Sequence, residues 1–318
     1  MSRFPPTELS VKTITISQRH EGQRLDNFLI RELKGVPRSR VYRLIRKGEV
    51  RVNKKRCKPE FKLCVGDKLR VPPVRVSSSI LKSGRVSRVL VELFLKNILH
   101  ETKEFLIINK PSGIAVQGGT GIRVNAIDIL RSIKPEWKGL ELAHRLDRDT
   151  SGCLVVAKNL LSLRNLQLQF KSKTINKVYH AIVHGYWPED LGVVNAPLVK
   201  NKLSSGERIV RVGKDGKASK TNFKVIKRLN GATLIKANPV TGRTHQIRVH
   251  CQYAGFPIVG DSKYSLDFNK SDLKNIKKLC LHAAKIGLRN PSSETLIEVD
   301  APIDNHFRSI LEKYTYKT

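Results

Sequence analysis

The stretch His144-Arg145-Leu146-Asp147-Arg148-Asp149-Thr150-Ser151-Gly152 runs directly into the apolar segment Cys153-Leu154-Val155-Val156-Ala157. A continuous apolar run of this length, entered through Ser-Gly, is typical of a buried strand. The charged residues are therefore expected at the end of a rigid element. Asp149, Thr150, Ser151 and Gly152 are common turn formers and are predicted to shape a turn there.

Asp147 lies between two arginines, Arg145 and Arg148. Guanidinium groups beside a carboxyl favour its ionised form, and an anion of this kind suits nucleophilic or electrostatic catalysis. Structural ion-pair networks produce the same pattern, so the residues alone leave both interpretations open. The position of this cluster beside a core strand favours the catalytic interpretation.

The charge of the chain predicts a polyanionic partner. Its 318 residues include 60 Lys and Arg against 27 Asp and Glu, which gives a net charge of +33 and a pI near 10.3. A field of this size attracts nucleic acid first and anionic membranes second. The apolar stretch from Val89 to Leu99 is interrupted by Glu92 and Lys96, so no membrane contact is expected.

The five cysteines form no C-x-x-C pair. Structural zinc and a disulfide framework are therefore not expected, and the protein is predicted to act in the reducing cytoplasm.

Composition and spacing divide the chain into four segments. We predict an N-terminal arm over residues 1–17, a compact basic domain over 18–75, a linker over 76–88 and a larger domain over 89–318. The linker is marked by Ser77-Ser78-Ser79 and Ser83-Gly84, which show no periodicity.

The basic domain is predicted to contain two short helices, whose apolar stripes include Leu25 and Val41, followed by short strands. Residues 36–58 carry ten basic residues and one acid. Several of the basic residues lie on or beside the second helix, among them Arg38, Arg40, Arg43 and Lys47. Arg40, Arg43 and Lys47 are spaced to share one face of it. Most charge runs are solvated faces, but a run of one sign repels itself unless a polyanion neutralises it. We therefore expect these residues to contact RNA phosphates.

The larger domain is predicted to combine strands and helices. The strands are expected at 105–108, 153–157, 178–183, 207–212, 222–227, 232–237 and 295–299, and the helices at 126–133, 160–170, 244–254 and 304–314. In the third of these helices His245, Arg248 and Gln252 are predicted to share one face. His250 falls on its apolar face and is predicted to be a core residue.

Other kinds of site have weak signals. His245 and His250 are five residues apart, roughly 140° around a helix, so they cannot chelate one metal ion. No G-x-S-x-G motif marks a serine hydrolase. The Gly-rich loop 117–121 does not have the spacing of a nucleotide site.

A single carboxylate near basic groups suits chemistry at a ribose C1′. An enzyme that acts on a base in folded RNA must flip the base out and hold it against an aromatic ring. Tyr179 is a candidate ring, although a half-buried strand tyrosine explains it equally well. Arg248 is a candidate partner of the carboxylate, and the alternative is a solvent-facing helix arginine.

Three motifs, in family order, resemble those of the RluA-type pseudouridine synthases. The opening stretch matches the signature H-R-L-D-x-x-T-S-G. Lys177-Val178-Tyr179-His180-Ala181 resembles a K-x-Y-x-A strand, and the stretch from Gly242 to His250 resembles a G-R-T-H-Q-I-R-V-H helix. Residues 18–73 resemble an S4 RNA-binding domain. The segment 196–212 is similar to family members that modify 23S ribosomal RNA.

The resemblance implies an α+β protein, in which an S4-type domain is followed by a mixed, mostly antiparallel sheet with flanking helices. It implies that Asp147 is the catalytic residue, that Tyr179 stacks on the flipped uracil and assists deprotonation at C5, and that Arg248 pairs with Asp147. Arg145 would enter the space left by the flipped base, and Leu281 would wall the pocket. The site is thus expected to come from separate pieces of chain.

The resemblance also implies a partner. We expect the substrate to be 23S ribosomal RNA or the pre-ribosomal large subunit, and the enzyme to be a monomer. No cofactor or metal is expected, because uridine and pseudouridine are isomers.

Three alternatives stay open. The first is a synthase of the same family acting on other rRNA sites or on tRNA. The second is a catalytically silent S4-type RNA-binding protein, against which the intact Asp147, Tyr179 and Arg248 argue. The third is an RNA hydrolase using His144 or His245, which would cleave the chain as a synthase would not.

Overall fold

The computed structural model describes residues 10–33, 36–74, 86–119, 122, 124–202, 208–265 and 276–315. Contacts divide the chain into two units, Met1–Arg85 and Val86–Thr318. Residues 1–9 of the predicted arm and 76–85 of the predicted linker lie outside the described residues. The domain boundaries given above therefore stay predictions.

The first unit packs two helices against a small antiparallel sheet with the order β1-β3-β2. Its elements are β1 (Lys12–Thr15), α1 (Leu25–Glu32), α2 (Arg38–Arg46), β2 (Arg51–Val52) and β3 (Lys68–Val71). Both predicted apolar stripes face one core, since Leu25, Leu29 and Val41 are completely buried. After β2 the chain turns through Asn53 and Lys54, which both have positive φ.

The second unit is built from helices and strands in mixed order. They are α3 (Arg88–Lys96), β4 (Ile98–Glu101), β5 (Phe105–Lys110), α4 (Ala126–Ile133), β6 (Glu141–Leu142), β7 (Ser151–Ala157), α5 (Leu160–Ser172), β8 (Asn176–His184), β9 (Val193–Asn195), β10 (Leu198–Lys202), β11 (Arg208–Val212), β12 (Lys220–Leu229), β13 (Ala232–Pro239), α6 (Gln246–Tyr253), β14 (Leu281–Arg289), β15 (Leu296–Asp300) and α7 (Asn305–Tyr314).

Ten of these strands form one sheet with the order β4-β5-β7-β14-β8-β13-β12-β9, in which β6 adds to β7 and β15 to β14. Its pairs are antiparallel except for β7 with β14. The predicted α+β class with a mixed, mostly antiparallel sheet is confirmed. Strands β10 and β11 form a separate hairpin.

Strand β14 connects the two halves of the sheet, and no strand was predicted at its position in the chain. Two large hydrophobic clusters lie in this unit, and β14 contributes Ala283 and Ile286 to one and Leu281 to the other. Tyr179 of β8 packs against both clusters. The middle of the sheet is therefore where the two cores meet.

The prediction that Ser151 and Gly152 belong to a turn is wrong, because they are the first two residues of β7. Gly152 has φ +104°, and a Cβ there would lie 2.3 Å from the carbonyl oxygen of Ala283. Glycine is needed because β14 approaches its backbone so closely. Ser151 Oγ lies 2.8 Å from Nδ1 of the buried His282, which ties the same two strands together.

None of the described helices is both long enough and apolar enough to cross a membrane.

Candidate active site

A cavity of about 550 Å³ opens in the second unit, next to the first residues of β7. Among the described residues, four stretches of chain contribute to its lining: residues 144–150, 170–179, 239–248 and Leu281. The structure thus brings together five of the predicted site residues: Arg145, Asp147, Tyr179, Arg248 and Leu281. They are far apart in sequence and come from the loop before β7, from β8, from α6 and from the start of β14.

Asp147 is the only acidic residue in the described part of the cavity lining. Its Oδ2 lies 3.4 Å from Arg248 Nη1 and 3.8 Å from His245 Nε2. The prediction that Arg148 flanks this carboxylate is wrong. Arg148 turns outward and pairs with Asp149, with Nε 3.0 Å from Oδ1. Arg145 is exposed at the cavity lining.

Arg248 is buried rather than solvent-facing. Asp261 binds it through two parallel hydrogen bonds, from Nε and from Nη2, each 2.7 Å long. Burial alone would lower the pKa of this guanidinium, but the hydrogen bonds and charge of Asp261 outweigh burial and raise the pKa above its usual value. The guanidinium also lies over the ring of Tyr264, 5.0 Å from its centroid. Arg248 is therefore a fixed cation.

No sequence motif marked Asp261. It follows α6 in the stretch Val259-Gly260-Asp261, and its Oδ1 also accepts the backbone N–H groups of Lys263 and Tyr264. The signal that could have found it is the need of a buried arginine for a carboxylate partner. The sequence does not show that Arg248 is buried, so Asp261 did not stand out from the other acids.

Tyr179 and Leu281 contribute to the apolar part of the cavity wall. Tyr179 and Ala181 point to the same face of β8, and Leu281 opposes Ala181 in the ladder between β14 and β8. Burial, reinforced by the charge of Asp147, raises the pKa of the Tyr179 hydroxyl above its usual value. The ring is therefore a neutral, partly buried surface beside the carboxylate.

Two histidines border the cavity, and they differ in chemistry. His144 stacks on Phe170 with ring centroids 4.6 Å apart, and its Nε2 accepts the backbone N–H of Val155. Burial lowers the pKa of His144 to about 3, so it is a neutral structural group. A hydrolase that uses His144 as its base is disfavoured, because the lone pair of Nε2 is already occupied.

His245 lies outside α6, which begins at Gln246. The prediction that it shares a helix face with Arg248 and Gln252 is wrong, since its φ of 54° is left-handed. Its Nδ1 lies 2.7 Å from the hydroxyl of Tyr264. His250, in contrast, is completely buried and bonds to Ser219 and Thr221, which confirms it as a core residue.

Lys110, which the sequence analysis also missed, supports the loop that carries Asp147. Its side chain is completely buried, and its Nζ donates to the carbonyls of Pro111, Ile114 and Arg148. Burial lowers the pKa of this amine to about 7. Ser112 adds a hydrogen bond to the carbonyl of Asp149. The loop is therefore fixed by hydrogen bonds to the carbonyls of two consecutive residues, Arg148 and Asp149.

Cations surround the carboxylate. Besides Arg145 and Arg248, the described lining contains Lys171, Lys173, Lys177 and Arg243. A polyanion that enters the cavity would therefore meet basic groups on several sides. In the described ranges no three His, Cys, Asp or Glu side chains are grouped as metal ligands would be.

In the first unit, α2 presents the predicted basic face. Arg38, Arg43 and Lys47 are exposed and Arg40 is partly exposed, whereas Val41, Leu44 and Ile45 are buried. These cations lie opposite the apolar stripe, and they belong to a different unit from the cavity.

Comparison with known proteins agrees with both units. Residues 104–253 match the family described as RNA pseudouridylate synthase, and residues 23–69 match the S4 domain. A Haemophilus influenzae protein named ribosomal large subunit pseudouridine synthase C is 50% identical over 308 residues, which cover 96% of this chain and 95% of that protein. The protein of the same name from Escherichia coli K12 is 48% identical over 96% of this chain and 97% of its own length.

Two solved structures share a fold with most of this chain. Human RNA pseudouridylate synthase domain containing 4 aligns with a TM-score of 0.58 and 28% identity, covering 71% of this chain and 95% of that one. Human RNA pseudouridylate synthase domain containing 1 gives a TM-score of 0.58 and 26% identity, over 70% and 89%. The chain therefore belongs to the RluA-type family of RNA pseudouridine synthases and carries an S4 domain before its catalytic domain.

Proposed function

We propose that this protein isomerises uridines of the large-subunit (23S) ribosomal RNA to pseudouridine, with Asp147 as the catalytic residue. One observation carries the assignment of Asp147. It is the single acid in the described lining of a cationic cavity, it contacts the fixed guanidinium of Arg248, and it shares the cavity with Tyr179. The names of relatives about 50% identical over nearly the whole chain support the choice of RNA.

The reaction exchanges one bond for another. The bond between N1 and C1′ breaks, the uracil turns, a bond forms between C5 and C1′, and the C5 proton leaves while N1 gains one. Positive charge develops at C1′ as the first bond breaks, and a carboxylate beside it stabilises that charge or attacks the carbon. Asp147 fits either role, and this isomerisation consumes no oxidant, reductant or group donor.

The target uridine must leave its helix to reach Asp147. We assign Tyr179 to stack on the flipped uracil and to assist removal of the C5 proton, and Leu281 to wall the pocket. Arg145 is exposed at the cavity, and we assign it to the gap that the base leaves in the RNA. Arg248, oriented by Asp261, pairs with Asp147.

The S4 domain would supply affinity. Arg38, Arg40, Arg43 and Lys47 form a one-signed face on α2, which suits phosphates rather than base edges. We propose that this face holds the rRNA, either naked or in the assembling large subunit, and that the enzyme acts as a monomer in the cytoplasm.

Tritium release tests the proposal directly. Ribosomal RNA labelled with [5-³H]uridine loses tritium to water when C5 exchanges its proton for the bond to C1′. Wild type should release tritium and Asp147→Asn should not. Asp149→Asn is the matched control, because this neighbouring acid is paired outward with Arg148 and should retain activity. If Asp147→Asn is as active as wild type, the assignment fails.

The same samples separate the alternatives. RNA cleavage seen on a denaturing gel would support a hydrolase, and tight binding without tritium release would support a silent RNA-binding protein. Release from tRNA but not from 23S RNA would retain the chemistry and overturn the substrate.

A further inference from the structure

His245 occupies a strained position beside Asp147. It is the last residue before α6, and its φ of 54° is left-handed, which non-glycine residues seldom adopt. Such conformations persist only where the surroundings hold them, and they cluster at functional sites. Two groups face the ring here: the hydroxyl of Tyr264 lies at Nδ1, and the carboxylate of Asp147 faces Nε2.

Tyr264 determines which ring nitrogen of His245 carries the proton. Its hydroxyl is buried and accepts the backbone N–H of Val210 at 3.1 Å. The hydroxyl has one proton to give, and among the described residues His245 Nδ1, at 2.7 Å, is the acceptor within reach. Leaving a buried hydroxyl proton without an acceptor is costly. Nδ1 is therefore an acceptor, and a neutral ring carries its proton on Nε2.

The charges around His245 are consistent with a neutral ring. Burial lowers the pKa of His245 below its usual value, Asp147 and Asp261 oppose that shift, and Arg248 and Lys263 reinforce it. Because the net shift is downward, the ring is neutral at neutral pH. Its Nε2–H then points toward the carboxylate as a neutral donor.

Two nitrogens approach one oxygen of Asp147. Arg248 Nη1 donates a hydrogen bond to Oδ2 at 3.4 Å, and His245 Nε2 lies 3.8 Å from the same atom, just beyond hydrogen-bond distance. We propose that His245 is a positioning residue that, with Arg248, holds Oδ2 and so presents Oδ1 to the ribose. This role rests on the proposed function of Asp147 and deepens it, and Tyr264 would act through His245 by fixing its tautomer.

Two substitutions of His245 separate the effect of side-chain length from the effect of the left-handed backbone. Asn tolerates left-handed φ but is too short to span to Asp147, whereas Gln can extend an amide N–H toward the carboxylate. We expect His245→Asn to lower kcat about 10- to 100-fold with KM within twofold, as for a misplaced reacting group. His245→Gln should restore part of that loss. His306→Gln on α7, away from the cavity lining, is the matched control and should leave both constants unchanged.

Tyr264→Phe tests the second half of the proposal, with Tyr253→Phe, an exposed tyrosine of α6, as its control. In protein labelled with ¹⁵N-histidine, the ring shifts should assign wild-type His245 to the Nε2–H tautomer, and Tyr264→Phe should mix the two tautomers. The His245→Gln spectrum identifies the signal. An Nδ1–H tautomer or an imidazolium at neutral pH would overturn the tautomer assignment.

The kinetic and spectroscopic measurements test the two parts of the proposal independently. An unchanged kcat in His245→Asn, or a loss confined to KM, would overturn the positioning role even if the tautomer is as expected. Wild type that releases no tritium would instead overturn the proposed function, while the tautomer measurement, which needs no turnover, would still stand.

Discussion

Asp261 binds Arg248 more closely than Asp147 does: two hydrogen bonds of 2.7 Å oppose a single contact of 3.4 Å. The arginine is thus oriented by a carboxylate that is not among the described lining residues of the cavity. Of its guanidinium nitrogens, Nη1 is the one that contacts the proposed catalytic acid. A group fixed before the substrate binds needs no reorganisation during the reaction.

Asp261→Asn should therefore damage both stability and activity. It leaves a buried guanidinium without its counter-charge, and breaking such a pair costs about 3–5 kcal/mol. Urea unfolding would measure the loss, and tritium release should fall with it. Asp149→Asn breaks the exposed pair with Arg148 and should cost less than about 1 kcal/mol. Equal losses in the two variants would contradict the buried-pair account.

Tyr179→Phe should retain RNA binding and lose catalysis. The phenyl ring keeps the stacking surface, while the hydroxyl assigned to deprotonation is gone. Tyr179→Leu should also weaken binding of a short target RNA, by about 1–3 kcal/mol for the stacking of one base. Because burial raises the pKa of Tyr179, its hydroxyl should not ionise near pH 10. A spectroscopic titration in which wild type shows one more tyrosine ionising near pH 10 than Tyr179→Phe would be evidence against this.

Gly152→Ala should destabilise the protein far more than Gly231→Ala. Both glycines have positive φ, but a Cβ at Gly152 would meet the carbonyl of Ala283, whereas nothing lies within 4 Å at Gly231. The open position should cost about 1–2 kcal/mol for its backbone conformation. The close approach adds overpacking of about 1–3 kcal/mol. Thermal unfolding of both variants measures the difference, and equal shifts would show that β7 can move away from β14.

A pH-dependent contribution to stability is expected from Asp26 in the S4 domain. Burial would raise the pKa of this carboxyl, but hydrogen bonds from Arg24, Tyr42 and the Asn27 backbone outweigh burial and lower the pKa below 3.8. A lowered pKa means that the unfolded state binds the proton more readily. The contribution is therefore complete above the unfolded value and is lost as pH falls through the folded value.

Hydrogen exchange of α1 peptides in wild type and Asp26→Asn tests this expectation. Wild type should be better protected at pH 6, and the difference should shrink below about pH 4, where unfolded Asp takes up its proton. A difference that stays constant down to pH 2 would exclude titration of Asp26 as its cause.

Salt titrations test the basic face of α2. Arg40→Ala and Arg43→Ala should weaken binding to unrelated RNA sequences equally. Each should also reduce the slope of log K against log salt by about 0.7–0.9, the value for one phosphate that is no longer neutralised. Lys12→Ala, an exposed lysine on β1 of the same unit, should change neither. Unchanged slopes for the arginine variants would place the phosphate contacts elsewhere.

The sequence motifs predicted which residues line the cavity better than they predicted which residues contact each other. Asp147, Tyr179, Arg248 and Leu281 do line one cavity, because short motifs record which side chains a site needs. The partners were harder to predict. Arg148, next to Asp147 in sequence, turns away from it, and Asp261 has no motif of its own.

Strand β14 was missed for a physical reason. Its residues are buried on both faces, so the alternation that marks a half-exposed strand is absent. Ala283, Ala284 and Gly287 are small, and small residues carry little strand propensity, which weakens the signal further. Such a strand is specified by its neighbours, which a local pattern does not contain. Helices α4 and α7, each with one apolar face, were predicted almost to the residue.

The place of β14 in the chain affects the order in which the protein is made. Synthesis proceeds from the N-terminus, and domains fold as their residues become available. The core of the S4 domain draws on residues up to Val74, whereas β14 begins at Leu281. Until that strand leaves the ribosome, β7 and β8 have no partner between them and the cavity has no Leu281. A growing chain therefore acquires its RNA-binding domain early, and its catalytic sheet closes only near the end of translation.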